Sequence, residues 1–115
     1  MIHFYGIPNC DTVKKARLWL EAQGIDYTFH DYKKEGADAA KVAAWIAAKG
    51  VDTVLNKRGT TFRKLSDAEK AQADEPASAA TLLVKNPSMI KRPVVEHDGG
   101  LLVGFKVDDW ETALA

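Results

Sequence analysis

Residues 2 to 32 read as strand, turn, helix and strand again, and that run restricts the fold more than any other part of the chain. Ile2-His3-Phe4-Tyr5 has the β-branched and aromatic content of a strand, and Gly6-Ile7-Pro8-Asn9 supplies the turn residues that end it. From Thr12 to Gln23 the apolar residues Val13, Ala16, Trp19 and Leu20 recur three or four apart, and Gly24 stands where a helix C-terminus wants one. Asp11 or Asn9 offers the capping side chain for that helix. Tyr27 to Tyr32 then alternates, with Tyr27, Phe29 and Asp31 on one face and Thr28, His30 and Tyr32 on the other. A strand, helix and strand in this order predict a right-handed crossover and a parallel pair.

The rest of the chain is read in the same way. Lys33 to Gly36 is expected as a charged loop, and residues 37 to 49 as a helix with Val42, Trp45 and Ile46 on one face, ended by Gly50. A short apolar turn from Val51 to Leu55 leads into the basic run Asn56-Lys57-Arg58-Gly59-Thr60-Thr61-Phe62-Arg63-Lys64, which suits either an anion or plain solvent. Ser66-Asp67-Ala68-Glu69 has the form of a capping box, opening a helix to about Ala73. Pro76 opens another helix, containing Ala80, Leu83 and Val84, which Asn86-Pro87 closes. Pro93 starts a strand at Val94-Val95-Glu96, and Asp98-Gly99-Gly100 turns it back into Leu101-Leu102-Val103, so these two strands are antiparallel. Asp108 caps a final helix with Trp110, Ala113 and Leu114 on its apolar side.

At 115 residues the chain matches one ordinary domain with a sizeable core. Lys plus Arg equals Asp plus Glu at 16 each, a balance that disfavours broad attraction to nucleic acid or membrane. The single cysteine, Cys10, cannot form an internal disulfide, and no run resembles a signal peptide or a spanning helix, so a cytoplasmic setting is expected. His3, His30 and His97 show no metal-ligand spacing, and no metal is expected. Cys10 falls where the first strand gives way to the first helix. Unpaired backbone N–H groups and the positive end of a helix dipole favour a thiolate there, while Asp11 and Lys14 pull in opposite directions. On position alone the thiol is either a nucleophile or a small buried hydrophobe.

This order, with a cysteine after the first strand and a proline at the start of the third, resembles a thioredoxin-like α/β fold: a mixed four-stranded sheet (β-α-β … β-β-α) with a helical insertion. The core would lie at about 1–33 and 87–115 and the insertion at about 37–86, within one domain spanning 1–115. Asn9-Cys10, the Leu55 to Leu65 basic loop, Asn86-Pro87 and Ile90-Lys91-Arg92-Pro93-Val94-Val95 carry a finer resemblance to the ArsC family. Gly6 to Ala16 and Asn56 to Thr60 are most similar to its YffB-type branch.

The resemblance implies a glutathione-dependent thiol–disulfide reductase with Cys10 as nucleophile and glutathione as co-substrate, working through a mixed disulfide. It implies Arg92 and Arg58 as contacts for a carboxylate of glutathione or a substrate anion, with Asn9, Asn56, Pro93 and Lys14 completing the site, and Pro93 in the cis form. Expected partners are glutathione, an unidentified disulfide or oxyanion substrate and glutaredoxin, with no nucleic acid, no membrane and a monomeric chain. The family's arsenate reductases use this cysteine and three arginines. Here Arg92 matches one of them, Asn56 and Gly104 occupy the other two places, and Lys106 is the cation nearest the second. An arsenate reductase, coupled to glutathione or glutaredoxin, is the first alternative. The second is an Spx-like RNA polymerase-binding regulator; many of these carry a Cys-x-x-Cys switch, whose second position here is Val13.

Overall fold

β1 (His3–Gly6), α1 (Asp11–Ala22) and β2 (Thr28–Asp31) form the expected crossover, with β1 and β2 parallel and Phe4 opposite Phe29, Tyr5 opposite His30. The computed structural model describes residues 2–114. Next come α2 (Tyr32–Glu35), α3 (Ala39–Lys49), α4 (Val51–Val54), α5 (Thr60–Arg63), α6 (Asp67–Ala71) and α7 (Pro76–Lys85). β3 (Val94–His97), β4 (Gly100–Val103) and α8 (Val107–Leu114) complete the chain, with short 3-10 turns at Gln72–Asp74 and Pro87–Met89. The described residues form a mixed four-stranded sheet in the order β2-β1-β3-β4, in which β3 runs antiparallel to both β1 and β4. It is a thioredoxin-like α/β fold.

Two compact units divide the chain: one joins the residues up to Tyr32 with those from Arg92 onward, and the other is Lys33–Lys91. In the first, the period-two alternation of β1 sends Phe4 to one face of the sheet and His3 and Tyr5 to the other. Phe4, Val13, Ala16, Leu20, Val95 and Trp110 make a buried cluster that unites the sheet with α1 and α8. On the opposite face the Tyr5 hydroxyl donates to Glu96 Oε1 at 2.9 Å, and the Tyr5 ring stacks on His30 with centroids 4.6 Å apart. His3 Nδ1 lies 2.9 Å from His30 Nε2. In the second unit Val42, Trp45 and Ile46 of α3 are buried, as are Ala79, Ala80, Leu82 and Leu83 of α7, and the two helices pack on each other. An antiparallel bridge between Leu55 and Ile90 ties the residues after α4 to those before β3.

Several local expectations are corrected. Tyr32–Glu35, Val51–Val54 and Thr60–Arg63 are single helical turns where a charged loop, an apolar turn and a basic loop were expected. Four residues are too few to show a 3.6-residue period. Asp108 sits in the first turn of α8, which begins one residue earlier at Val107, so it is not the cap. Asp38 caps α3 instead of the helix starting at residue 37, accepting from the Lys41 N–H at 3.0 Å.

The capping box at Ser66 is present as read. Ser66 Oγ accepts from the Glu69 N–H at 3.2 Å, and Glu69 Oε1 accepts from the Ser66 N–H at 3.1 Å. Ser66→Ala is expected to lower stability by about 1 kcal/mol in urea denaturation. Hydrogen bonds from the Ser66 backbone, then from its hydroxyl, hold the Glu69 carboxyl below its ordinary range. A depressed folded-state value means that the contribution is full at neutral pH and is lost as acid protonates Glu69. The Ser66→Ala difference should therefore shrink in melts taken at progressively lower pH.

Candidate active site

Strand register assembles one end of the sheet. Gly6 pairs with Asp31, Tyr5 with Val94, and Val94 with Val103. The C-terminal ends of β1, β2 and β4 and the start of β3 therefore lie side by side. Cys10 follows β1, Tyr32 follows β2, Arg92-Pro93 precedes β3 and Gly104 follows β4, so all four come from adjacent strand ends.

Cys10 is itself the N-cap residue of α1, with extended φ −135° and ψ 126°. Its carbonyl accepts from the Lys14 N–H at 2.9 Å. The expected caps, Asp11 and Asn9, do not act, because the helix begins at Asp11 and the capping position falls one residue before it. The Cys10 side chain makes no capping hydrogen bond, so the first N–H groups of α1 receive no side-chain cap. The thiol is half-buried and packs against the Phe4, Val13 and Trp110 cluster. Asp11 stands in the first turn, where its charge suits the dipole. Asn9 and Lys14 are exposed.

The Arg92–Pro93 peptide bond is cis, as the resemblance implied. Pro93 is buried and Arg92 half-buried. The Pro93 carbonyl accepts from the Gly104 N–H at 2.8 Å, and the Gly104 carbonyl accepts from the Trp110 indole Nε1–H at 3.1 Å. Gly104 has φ +80°, a left-handed conformation that costs an L-residue roughly 1–2 kcal/mol. Gly104→Ala should show that loss in a urea melt. Tyr32 is buried against this end. Burial first, then the charge of Tyr5, pushes its phenol far above the usual range; Arg92 opposes this and Glu96 adds to it. The Arg92 guanidinium is thus within electrostatic reach of Tyr32.

The expected site residues divide between the two units. Asn9, Cys10, Lys14, Arg92 and Pro93 belong to the first, Asn56 and Arg58 to the second. Asn56 and Arg58 line an open cleft of about 490 Å³ with Asp52, Leu55, Lys57 and Lys91. The Lys57 ammonium is 3.1 Å from an Asp52 carboxylate oxygen. Asn56 also serves its own loop, its Oδ1 accepting from the Arg58 N–H at 3.1 Å. Sequence reasoning also missed Tyr32, Tyr5 and Glu96 near the Arg92 end. The alternation of residues 28 to 32 was the available signal, but only the register reveals that Tyr32 reaches the end of the sheet that carries Arg92. Among the described residues, no group of three or more His, Cys, Asp or Glu side chains is placed to hold a metal ion.

Comparison with known proteins agrees with this architecture. A solved structure of a YffB protein is 52% identical and superposes with a TM-score of 0.95, covering 100% of both chains. An uncharacterized protein of Haemophilus influenzae is 41% identical over 115 residues, 100% of each chain. The global transcriptional regulator Spx of Listeria monocytogenes is 30% identical over 112 residues, covering 95% of this chain and 83% of that one. The ArsC family model matches residues 5–113. Such a match on a thioredoxin-like fold supports an oxidoreductase of the thiol-reductase kind. From the thiol at the head of α1 to the last turn of α8, this chain belongs to the ArsC family.

Proposed function

We propose that the protein is a glutathione-dependent thiol–disulfide reductase that works through Cys10 alone. The observation that carries this reading is the position of the chain's one thiol, half-buried at the N-cap of α1 and at the same end of the sheet as Arg92 and cis-Pro93. With no second cysteine, every intermediate must borrow its partner thiol. In the first step the Cys10 thiolate attacks a glutathione-bearing disulfide, forming a Cys10–glutathione disulfide and releasing the substrate as thiolate. In the second, a glutathione thiolate attacks the glutathione sulfur of that mixed disulfide. Cys10 leaves as thiolate and glutathione disulfide is released, so one glutathione thiol is consumed for each glutathione-bearing disulfide reduced, the second sulfur of the product having entered with the substrate. A guanidinium such as that of Arg92 suits a carboxylate of the tripeptide.

The test is mass spectrometry of the protein after incubation with oxidised glutathione, and one adduct located on Cys10 is expected. An unmodified chain at millimolar glutathione disulfide would falsify the reading. Arg92→Ala should slow adduct formation about tenfold, the effect of losing one charge-assisted contact. The cytoplasm, where glutathione is abundant, is the setting this chemistry requires.

Arsenate reduction is the poorer reading of the same end. At two of the family's three arginine places the chain holds Asn56, whose carbonyl oxygen is engaged in its own loop, and Gly104, whose backbone is left-handed. The likeness to Spx favours a regulator as second reading. Copurification with RNA polymerase that persists in Cys10→Ser would support it.

A further inference from the structure

The sheet has two edge strands, β2 and β4, and they differ in what keeps other strands away. β2 carries Thr28, His30 and Asp31 among its four residues. β4 is Gly100–Val103, and the run from Gly99 through Phe105 holds no charge and no proline. Charged side chains, prolines and bulges are the usual means by which an edge refuses a further strand. β4 has none of them, and its register with β3 is continuous.

The backbone of β4 shows which groups an added strand would meet. Gly104 N–H donates to the Pro93 carbonyl, which makes 93 and 104 a hydrogen-bonded pair. Alternation along the β3–β4 register then turns Gly100 and Leu102 toward β3, and Leu101 and Val103 outward. Among the described residues nothing takes the outward N–H and C=O groups of Leu101 and Val103. Their side chains and that of Leu102 are half-buried, so a strand laid along this edge would cover apolar surface as well as backbone.

The occupant that fits is the same stretch running the other way. Residues 98 to 106 are nearly symmetrical about Leu102: Gly100 mirrors Gly104, Leu101 mirrors Val103, and Asp98 mirrors Lys106 with opposite charge. Two copies related by a two-fold axis at Leu102 set Leu101 of each opposite Val103 of the other. Both residues point outward, so each such pair exchanges both of its N–H···O=C bonds. The two Leu102 side chains meet on the axis, at the closer, non-bonded pair. At each end Asp98 of one copy approaches Lys106 of the other, and both are exposed.

We propose that β4 is the site of a weak, reversible homodimer, formed by antiparallel pairing of Leu101–Val103 with the same residues of a second copy, so that two sheets join across a two-fold axis. The strand is short and the interface small, which places the dissociation constant on the order of 0.1–1 mM. Dilute solutions then hold the expected monomer.

The experiment is sedimentation equilibrium and amide hydrogen exchange of the full chain from about 10 μM to about 2 mM, a range that brackets that constant. The weight-average mass should climb from the monomer value toward twice that value. Exchange at Leu101 and Val103 should slow about threefold, while Gly100 and Leu102, already bonded to β3, hold steady. Leu101→Pro deletes an outward N–H and no hairpin bond, a change that edge strands tolerate, and should raise the dissociation constant about tenfold or more. Lys106→Glu and Asp98→Lys each set like charges at both ends and should weaken self-association about threefold or more. An equimolar mixture of these two variants restores complementary charges and should pair at least as well as the native chain. A chain still monomeric at the highest concentration overturns the proposal. So does a dimer whose Leu101 and Val103 amides exchange as in the monomer, or a mixture of variants that pairs no better than either alone. A monomer whose edge amides are slowed by an added peptide of alternating Val and Thr overturns it as well, and gives β4 to another protein's strand.

Discussion

Cys10→Ser is expected to abolish disulfide exchange and glutathione adduct formation, with turnover falling by more than about a thousandfold, while the fold stays intact or gains stability. The two halves of that expectation have different causes. Exchange needs a sulfur nucleophile that is ionised near neutral pH and can itself be a leaving group, and a hydroxyl is neither. Stability depends instead on Cys10 as the N-cap of α1. Its side chain makes no capping bond, whereas serine is among the best capping residues. The exchange should gain about 0.5–1 kcal/mol if the hydroxyl reaches the N–H groups of the first turn. A urea melt and an exchange assay on the same preparation check both halves. An active variant would remove Cys10 from the mechanism, and a markedly destabilised one would show that the thiol's contact with the core matters more than the cap.

Trp110→Ala is expected to cost about 3–5 kcal/mol. The side chain is 1% exposed and lies edge-on to three other rings, with centroids 4.8 Å from Phe105, 5.9 Å from Trp19 and 6.2 Å from Phe4. Removing it leaves a cavity among residues that β1, α1 and α8 hold in place, so little can collapse into the space. Its indole N–H also satisfies the Gly104 carbonyl. Against a typical domain stability of about 5–15 kcal/mol, the loss removes a large share of the folding free energy and should lower the urea midpoint markedly. Trp110→Phe separates the contributions, since it keeps most of the ring packing and loses the hydrogen bond, at a cost of about 1–3 kcal/mol. Equal losses in the two variants would mean that the bond to Gly104 outweighs the packing.

The elements that were legible in the sequence are those whose signals repeat. Val13, Ala16 and Leu20 mark the buried side of α1, Val42, Trp45 and Ile46 that of α3, and the Ser66–Glu69 pair the start of α6, all as found. Asp98-Gly99-Gly100 gave the β3–β4 hairpin directly. Signals that depend on a single residue's offset were not legible. One residue at the start of α1 moved the cap from Asp11 or Asn9 to Cys10, and one at the start of α8 displaced Asp108. Side-chain pairs between distant segments were hidden for another reason. The His3–His30 contact and the Tyr5–Glu96 bond follow from strand register, which residue types alone do not specify. Asn56 illustrates the same limit at the candidate site: its residue type is visible, but whether its amide meets an anion or its own loop is decided by the fold.

Gly104 links parts of the chain that sequence distance keeps apart. Through its N–H it holds the carbonyl of Pro93, and through its carbonyl it holds the indole of α8. Proteolysis anywhere between Phe105 and Trp110 would sever the covalent path that holds the indole beside the Gly104 carbonyl, while the Gly104–Pro93 bond lies wholly on the uncut side. A nick there therefore loosens α8 from the core and is not harmless trimming. Protection of this segment from protease is a direct gauge of whether the thiol end of the sheet is assembled.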